Sequence, residues 1–399
     1  MKTKNFQAVY PFKGYVIESV NCQSIGIQIN LRWDQRRTLR CPDCGKKMAK
    51  NRETDLIAFD LPCGGGPVVL VRYPAIQGCC SSCKRYKTVR PEEIHPTRKA
   101  TWRLMRYVSL LARYVPLDAM VSFLEVPAST AWRYDKDVLE ADLPEPDLDG
   151  IEAILVDEKS VRRGHKYVTL VLNAKTGELL HMIESKKKGS LEAFFVKLTD
   201  EQKASIKAVC IDRNGAYAAA VEEGLPHAEI VYDKFHLMNS LGKAIDEVRK
   251  EEYRDATGEM KNVIKGQRFN LLRHPENLRP SGQLALRGLL EINEKINIAY
   301  LLKDQFRLVW NYRKRGWARR YLLQWISWVR ESGVEPLIRF AKGVERDIER
   351  IVSWCDHRIT NGRIESFNST VSRIIFKARG IRSLDYLYLK LRQESILRT

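Results

Sequence analysis

The sequence lacks any apolar run of the roughly 20 residues that a membrane-spanning helix requires. Residues 1–15 include Lys2, Lys4 and Lys13 and contain no apolar segment of the length that signal peptides have. We therefore expect a cytoplasmic protein without a membrane partner. In that reducing compartment the nine cysteines are not expected to form disulfides, so their clustering needs another explanation.

Acidic residues are scarce relative to basic ones. The chain has 49 Asp and Glu against 68 Lys and Arg, a formal net charge of +19 at pH 7. This net charge is far from the near-neutral balance of most cytosolic enzymes. It predicts a polyanionic partner. The sequence also lacks internal repeats and low-complexity tracts, which excludes a repeat array. Its 399 residues predict about two to four domains.

The N-terminal part shows the alternation of half-buried strands. Apolar residues occupy every second position from Ile25 to Trp33, and a second strand-like run extends from Val68 to Tyr73. We therefore predict a small β-rich module over residues 1–95. From Thr101 the apolar period becomes helical, with Leu104, Val108, Leu111 and Val115 on one stripe, which predicts a helical bundle over residues 96–143. Residues 144–150 are rich in proline and acid and are predicted to be a linker.

Beyond the linker, strand-like and helix-like segments are mixed. The strand-like segments are 153–156, 167–173, 179–184, 208–212 and 229–232, and the helix-like ones are 191–198 and 216–223. This order predicts an α/β core over residues 151–239. Residues 240–352 carry helical stripes and no convincing strand, so we predict an all-α insertion. Residues 353–399 are predicted to be C-terminal helices of the same core.

Four cysteines have the spacing of a structural zinc site. Cys41 and Cys44 form one Cys-x-x-Cys pair, and Cys80 and Cys83 form a second. Two such pairs with strands between them predict one tetrahedral zinc ion held by four thiolates, and Gly45 permits the positive φ of a tight turn. Unbound structural cysteines are the alternative, and Cys79 is an alternative to Cys80 as a ligand. The remaining scattered cysteines are interpreted as small buried apolar residues: Cys22, Cys63, Cys210 and Cys355.

The helical bundle and the segment before it are strongly basic. This composition predicts phosphate contacts, with a solvated helix face as the alternative. Two helices joined by a turn through Pro127, the second with Ser129 as its expected N-cap, match a helix-turn-helix; many such bundles bind nothing, but the adjoining zinc module favours DNA. The candidate DNA-contacting residues are Arg98, Lys99, Arg103, Arg106, Thr130, Arg133 and Lys136.

Three acidic residues are candidates for catalysis. Asp157 and Asp212 each follow a buried strand-like run, and Glu365 lies beside a helical stripe formed by Ile364, Phe367, Val371 and Ile374. Carboxylates that converge repel one another unless cations lie between them, and magnesium or manganese prefers such ligands. Two such ions suit phosphodiester displacement. For each acid alone, a strand-end cap or a surface charge is the alternative.

The acids lie within motifs that resemble those of the ISL-three family of insertion-sequence transposases. The similarity extends over nearly the whole chain. In two places the sequence departs from the family pattern, at Thr360 and at Val371–Arg373. The matching motifs are Val156–Lys159, Arg163–Tyr167, Ile211–Arg213 with Tyr217, Val231–Leu237, and Asn361–Glu365 with Asn368.

The resemblance implies a ribonuclease-H-like catalytic domain interrupted by the helical insertion and preceded by the zinc and helix-turn-helix modules. It implies that Asp157, Asp212 and Glu365 are the catalytic triad and hold two magnesium or manganese ions. Asp233 and His236 belong to the family's Asp-x-Phe-His motif. These two residues and Asn361 are possible auxiliary residues, with an outer-shell role, a substrate contact or a core hydrogen bond left open. Further candidates for steering phosphates are Arg162, Arg163 and the run 186–188.

The implied function is transposition. The protein would bind the terminal inverted repeats of an insertion sequence, cleave the ends, and join the 3′-hydroxyls to target DNA, as a homodimer or larger oligomer on the bacterial nucleoid. A transposase-derived regulator without catalysis and a metal nuclease without strand transfer are the alternatives. The tryptophans of the insertion have core spacing, although one of them is a candidate for stacking on an unpaired base; they are Trp310, Trp317, Trp325 and Trp328.

Overall fold

The computed structural model describes residue 7 and residues 10–23, 26–62, 68–162, 166–184, 188–381 and 383–397. The chain divides into two compact units. The first consists of Met1–Pro144 and Ile375–Gln393, and the second of Glu145–Ile374 and Glu394–Thr399. Arg163, Cys63 and most of the 186–188 run lie outside the described residues.

The described chain forms strands and helices in both units. The strands are β1 (Tyr15–Gln23), β2 (Gly26–Trp33), β3 (Ala49–Asp60), β4 (Val68–Cys80), β5 (Arg85–Val89), β6 (Ala153–Arg162), β7 (Lys166–Asn173), β8 (Leu179–Ile183), β9 (Ala208–Ile211) and β10 (Glu229–Tyr232). The helices are α1 (Trp102–Leu111), α2 (Met120–Leu124), α3 (Ala128–Asp142), α4 (Lys188–Phe195), α5 (Asp200–Ser205), α6 (Gly215–Gly224), α7 (Lys234–Asp255), α8 (Gly258–Ile264), α9 (Arg268–Leu272), α10 (Pro280–Ile292), α11 (Glu294–Arg307), α12 (Arg315–Glu331), α13 (Glu335–Arg346), α14 (Ile348–Val352), α15 (Trp354–His357), α16 (Gly362–Lys377) and α17 (Leu384–Ile396). Short 3₁₀ helices cover Leu117–Ala119, Pro275–Asn277 and Leu308–Asn311.

The first unit contains a five-stranded sheet in the order β1-β2-β4-β3, with β5 also paired to β4. The alternation that predicts strands at 25–33 and 68–73 is confirmed in β2 and the first half of β4. Strand β3 lacks that signal, because most of its side chains are exposed. Cys22 lies in β1 at the edge of the sheet and is exposed, so the prediction of burial was wrong there. Cys210 and Cys355 are buried as predicted.

The helices of the first unit differ from expectation at two ends. Helix α1 ends at Leu111, before Val115. Helix α3 begins at Ala128 and has Pro127 at its N-cap, so the assignment of the cap to Ser129 was wrong. Proline already holds the backbone near the required φ, and its carbonyl accepts hydrogen bonds from the Thr130 and Ala131 amides at 2.8 and 2.9 Å.

Residues 375–393, which the sequence analysis groups with the catalytic core, pack in the first unit. The fully buried Asp135 of α3 accepts hydrogen bonds from Ser109 Oγ at 2.6 Å and Tyr386 Oη at 2.5 Å. Its Oδ2 also lies 3.1 Å from Lys390 Nζ. A buried carboxylate needs such partners. These bonds between α3 and α17 are therefore part of the core of this unit.

The second unit contains a five-stranded mixed sheet in the order β10-β9-β6-β7-β8. Strands β6, β7 and β8 are antiparallel neighbours, whereas β6, β9 and β10 run parallel. The five predicted strands are confirmed. Strand β6 is longer than predicted, because its pairing with β7 continues to Arg162. Asp157 therefore lies within the strand, and the prediction that it ends the strand was wrong.

Residues 234–357, all of them described, contain helices and no strand, as the sequence predicts. Trp310 and Trp325 are buried in the shared core of the sheet and these helices. Trp317 and Trp328 are 55% and 36% exposed, so the expected core role holds for only two of the four tryptophans. No helix among the described residues is long and apolar enough to span a membrane.

Candidate active site and zinc centre

The predicted zinc ligands converge in the first unit. The Sγ atoms of Cys41, Cys44, Cys80 and Cys83 all lie within 4.8 Å of one another. Cys41 and Cys83 Sγ are 3.9 Å apart, and Cys44 and Cys80 Sγ are 3.5 Å apart. Cys79 is exposed and does not belong to this set, which favours Cys80 as the fourth ligand. The donor set fits a closed tetrahedral zinc site.

Two tight turns present the four thiols; we call them the zinc turns. The first comprises Cys41–Gly45, closed by a Gly45 N to Cys41 O bond of 2.9 Å, and the second comprises Cys80–Lys84 between β4 and β5. The residue after the last cysteine of each turn has a positive φ, 71° at Gly45 and 52° at Lys84. Only the first turn has the glycine that this conformation favours.

The thiols of the second turn have unlike environments. The Cys83 amide donates to Cys80 Sγ at 3.4 Å, and this bond lowers the pKa of Cys80 to about 7. Hydrogen bonding of the thiol to Cys44 and Cys80 raises the pKa of Cys83 to about 12. A bound cation favours the thiolate form of every ligand.

Asp157 and Asp212 are neighbours at one edge of the second sheet. The parallel pairing of β6 with β9 ends at Leu155 and Cys210. Each acid follows two residues later, Asp157 within β6 and Asp212 directly after β9, so the register places them side by side. Both are partly buried. Ligands commonly bind where parallel strands end.

Helix α16 supplies the third acid. Its buried stripe of Ile364, Phe367, Val371 and Ile374 matches the prediction, and Glu365 lies beside that stripe. Asn368, one turn further along, donates from Nδ2 to Asp157 Oδ2 at 2.7 Å. Asn368 stands in a family motif but is not among the residues predicted for the site. Only the packing of α16 on the sheet reveals that it contacts Asp157.

The three carboxylates share desolvated surroundings. Burial raises the pKa of Asp157, of Asp212 and of Glu365. Asp212 further raises the pKa of Asp157, and Asp157 that of Glu365. Asp212 Oδ1 and Glu365 Oε1 are buried without a hydrogen-bond partner. Buried carboxylate oxygens without a partner are costly and fit direct ligation of a cation. The acids are more widely spaced than the four thiols, since they do not form a set within 4.8 Å.

The predicted auxiliary residues lie on the segments that adjoin these acids. His236 lowers the pKa of Asp157, Asp212 and Glu365, and its Nδ1 is buried without a partner. Asp233 is buried and caps α7. Asn361 is fully buried before α16, and its side-chain oxygen and nitrogen have no partners. The sequence motif therefore marks residues that the fold does bring close to the acids.

A further residue missed by sequence reasoning anchors this edge to the helical insertion. Arg213 directly follows Asp212, and its Nε donates to Asp347 Oδ2 at 2.9 Å. The Arg213 guanidinium also packs against Gly343. A Cβ at that position would lie only 2.5 Å from Arg213 Nη2. The resemblance includes Arg213 in a motif, but the partner 134 residues away has no signal in the sequence.

Several predicted DNA-contacting residues have protein partners. Arg98 pairs with Asp137, Arg106 with Asp142, Arg103 with the buried Asp60, and Lys136 with Glu140. The first two pairs join α1 or the segment before it to α3. Lys99 and Arg133 are exposed, whereas Thr130 and Arg162 are partly buried. Part of the positive charge of the bundle is therefore paired in salt bridges, and part is exposed.

Comparison with known proteins identifies the family. A family model described as "Transposase", that of the ISL-three DDE transposases, matches residues 154–391. The transposase for insertion sequence element IS1001 of Bordetella parapertussis is 30% identical over 360 residues, which cover 89% of this chain and 88% of the relative. The transposase for insertion sequence element IS1557 of Mycobacterium tuberculosis is 27% identical over 256 residues, covering 58% and 57%. The chain therefore belongs to the ISL-three family of DDE transposases of insertion sequences.

Proposed function

We propose that this transposase binds the terminal inverted repeats of its insertion sequence, hydrolyses a phosphodiester at each end and transfers the 3′-hydroxyl ends to target DNA. Membership of the DDE family implies a DNA-cleaving transposase that uses divalent metal ions. The observation that supports the finer proposal is that Asp157 neighbours Asp212 and is hydrogen-bonded to the helix that carries Glu365. Asp212 and Glu365 each have a buried oxygen without a partner.

In this proposal the second unit is a ribonuclease-H-like catalytic domain split by the helical insertion. Its sheet supports that assignment, because three antiparallel strands are extended by two parallel ones. Asp157 lies on β6, the central strand of that sheet, and Asp212 directly follows the neighbouring strand β9. The module boundaries proposed from the sequence, at residues 95, 143, 150, 239 and 352, keep the catalytic acids outside the insertion.

Asp157, Asp212 and Glu365 would hold two magnesium or manganese ions. Such ions activate the attacking oxygen and stabilise the leaving oxygen in phosphodiester displacement. Asn368 keeps the Asp157 carboxylate in one orientation through its hydrogen bond. Burial favours the neutral carboxylic acids when no cation is bound. A bound cation favours the carboxylates instead, because its charge compensates for their burial.

In the first unit, Cys41, Cys44, Cys80 and Cys83 would hold one structural zinc, which keeps the two zinc turns together. The exposed Lys99 and Arg133 are the proposed phosphate contacts, with Thr130 one turn before Arg133 on α3. We propose that the paired cations stabilise the bundle and also add to its positive electrostatic potential; they are Arg98, Arg103, Arg106 and Lys136. Arg162 and Arg163 remain proposed phosphate contacts. Because two DNA ends must be joined, we propose a homodimer or larger oligomer on the nucleoid.

The decisive experiment incubates the full chain with a duplex that carries one inverted repeat, in magnesium. We expect nicking at the repeat end and, with added target duplex, joined products. Asp157→Asn should abolish both, while the control Asp200→Asn, at an exposed acid of α5, should leave both unchanged. Equal cleavage by the wild type and Asp157→Asn would remove Asp157 from catalysis. Sequence-specific binding without nicking would indicate a regulator, and nicking without joining would indicate a nuclease.

A further inference from the structure

Asp233 connects three elements at the edge of the sheet that carries the acids. It follows β10 directly and is 2% exposed. Its amide donates to Ile211 O at 3.0 Å, next to Asp212. Its Oδ2 accepts from the His236 amide at 3.0 Å, and its Oδ1 accepts from the Asn361 amide at 2.9 Å. Each carboxylate oxygen thus has a different backbone donor on a different segment.

Both of these donors belong to segments that carry residues of the proposed active site. The first begins α7, which presents the His236 ring to the three acids. The second precedes α16, where the Glu365 amide donates back to Asn361 O at 2.9 Å. Asn361 and His236 are 125 residues apart in the chain, so no local sequence preference holds them together. Among the described residues, Asp233 is the side chain whose hydrogen bonds join both segments.

We propose that Asp233 is a positioning residue that holds His236 and Glu365 in place beside Asp212 for metal binding. This inference rests on the proposed function of the three acids. The residue at this position must supply two acceptor oxygens, because the His236 and Asn361 amides approach from different elements. Asparagine or serine at this position still accepts the His236 amide as a helix cap. Neither residue supplies the second acceptor, so either one would release the Asn361 segment and with it Glu365.

The test measures manganese binding to the full chain by calorimetry and by the rise in melting temperature that manganese causes, both without DNA. We expect Asp233→Asn and Asp233→Ser to weaken manganese binding by about 10-fold or more, as the loss of outer contacts to metal ligands commonly does. The matched control is Asp246→Asn, which alters another buried aspartate of α7. Asp246 pairs with Arg249, Lys250 and Arg268. This control should lower stability but leave manganese affinity within about 2-fold, since additivity holds for independent sites.

A cycle with Glu365→Gln separates positioning from general destabilisation. In the Glu365→Gln background, Asp233→Ser should weaken manganese binding little further, because both changes act through the same ligand. Wild-type manganese affinity in Asp233→Ser, or full additivity in the cycle, would overturn the positioning role. Failure of Asp157→Asn to affect manganese binding or cleavage would instead overturn the proposed function. The two failures are therefore distinguishable.

Discussion

At the scale of single residues, the proposed active site depends on carboxylates whose oxygens are unequally satisfied. Both oxygens of Asp157 accept hydrogen bonds, one from the Glu158 amide at 2.7 Å and one from Asn368. Asp212 and Glu365 each keep one buried oxygen without a partner. Asp157 is thus oriented by the protein, whereas the other two have oxygens available to a cation.

Asn368→Ala should slow DNA cleavage by about 10- to 100-fold, because Asp157 loses the hydrogen bond that orients it. Binding to an inverted-repeat duplex should stay within about 2-fold, since Asn368 acts through Asp157. Single-turnover cleavage and equilibrium binding separate the two effects. The matched control is Ser372→Ala, an exposed position one turn along α16; an equal loss of cleavage in both variants would contradict the orienting role.

His181 gives the second unit a pH-dependent stability. This buried histidine of β8 stacks on Phe194 with 5.5 Å between ring centroids, and burial lowers its pKa to about 4. The unfolded chain therefore binds a proton that the folded chain excludes as the pH falls below about 6.5. Stability is unaffected above that pH and decreases towards pH 4, by on the order of 3 kcal/mol.

His181→Phe should remove this decrease. Denaturant unfolding from about pH 8 to pH 4 should show a smaller loss of stability in the variant than in the wild type, while the stability of both proteins changes equally with pH above about pH 7. His227→Phe serves as the control, because that histidine is exposed. Parallel curves for His181→Phe and the wild type would show that the ring is protonated in the folded state.

At the scale of elements, both zinc turns have a positive φ directly after their last cysteine but different residues at that position. A Cβ at Gly45 would meet no atom within 4 Å, so alanine there is disfavoured by its backbone conformation alone. That cost is roughly 1–2 kcal/mol. Lys84 already bears the corresponding cost in the second turn.

Gly45→Ala should therefore lower the free energy of unfolding of the first unit by roughly 1–2 kcal/mol and speed zinc loss to a chelator. Lys84→Gly, the matched reverse change, should have little effect or be mildly stabilising, because release of strain opposes the added entropy of the unfolded chain. Zinc release monitored with a colorimetric chelator and thermal unfolding check both variants. Faster zinc loss from Lys84→Gly than from Gly45→Ala would refute the strain argument.

At the scale of the whole molecule, the net charge of +19 is only partly available to DNA. The described salt bridges occupy Arg98, Arg103 and Arg106 of the first unit. Exposed cations such as Lys99 and Arg133 remain for phosphates. DNA affinity should then depend on the phosphates that these cations neutralise rather than on the total charge.

Binding to an inverted-repeat duplex should weaken steeply with salt, by about 10³- to 10⁵-fold between 50 and 200 mM if about 6–10 phosphates are contacted. Arg133→Gln should lower the slope of log affinity against log salt by about 1. Arg287→Gln, at an exposed arginine of α10 paired with Glu291, should leave the slope unchanged. A wild-type slope in Arg133→Gln would exclude Arg133 from phosphate contact.

The sequence by itself determined the features whose signals are local. Alternation and spacing predicted β2, the strands of the second sheet, the helical insertion and the pairing of two Cys-x-x-Cys motifs. The family motifs identified Asp157, Asp212 and Glu365 as candidates and drew attention to Asp233, His236 and Asn361. Such signals depend on neighbouring positions or on short motifs. They are therefore readable in the sequence without the fold.

Only the tertiary structure decided which distant groups meet. The Asn368–Asp157 bond spans 211 residues, and the Asp233–Asn361 bond spans 128. The pairs that occupy Arg98 and Arg103, and the exposure of Trp317 and Trp328, likewise follow from packing. The physical reason is that hydrogen bonds and burial depend on three-dimensional distance, which strand register and helix packing set after the local elements have formed.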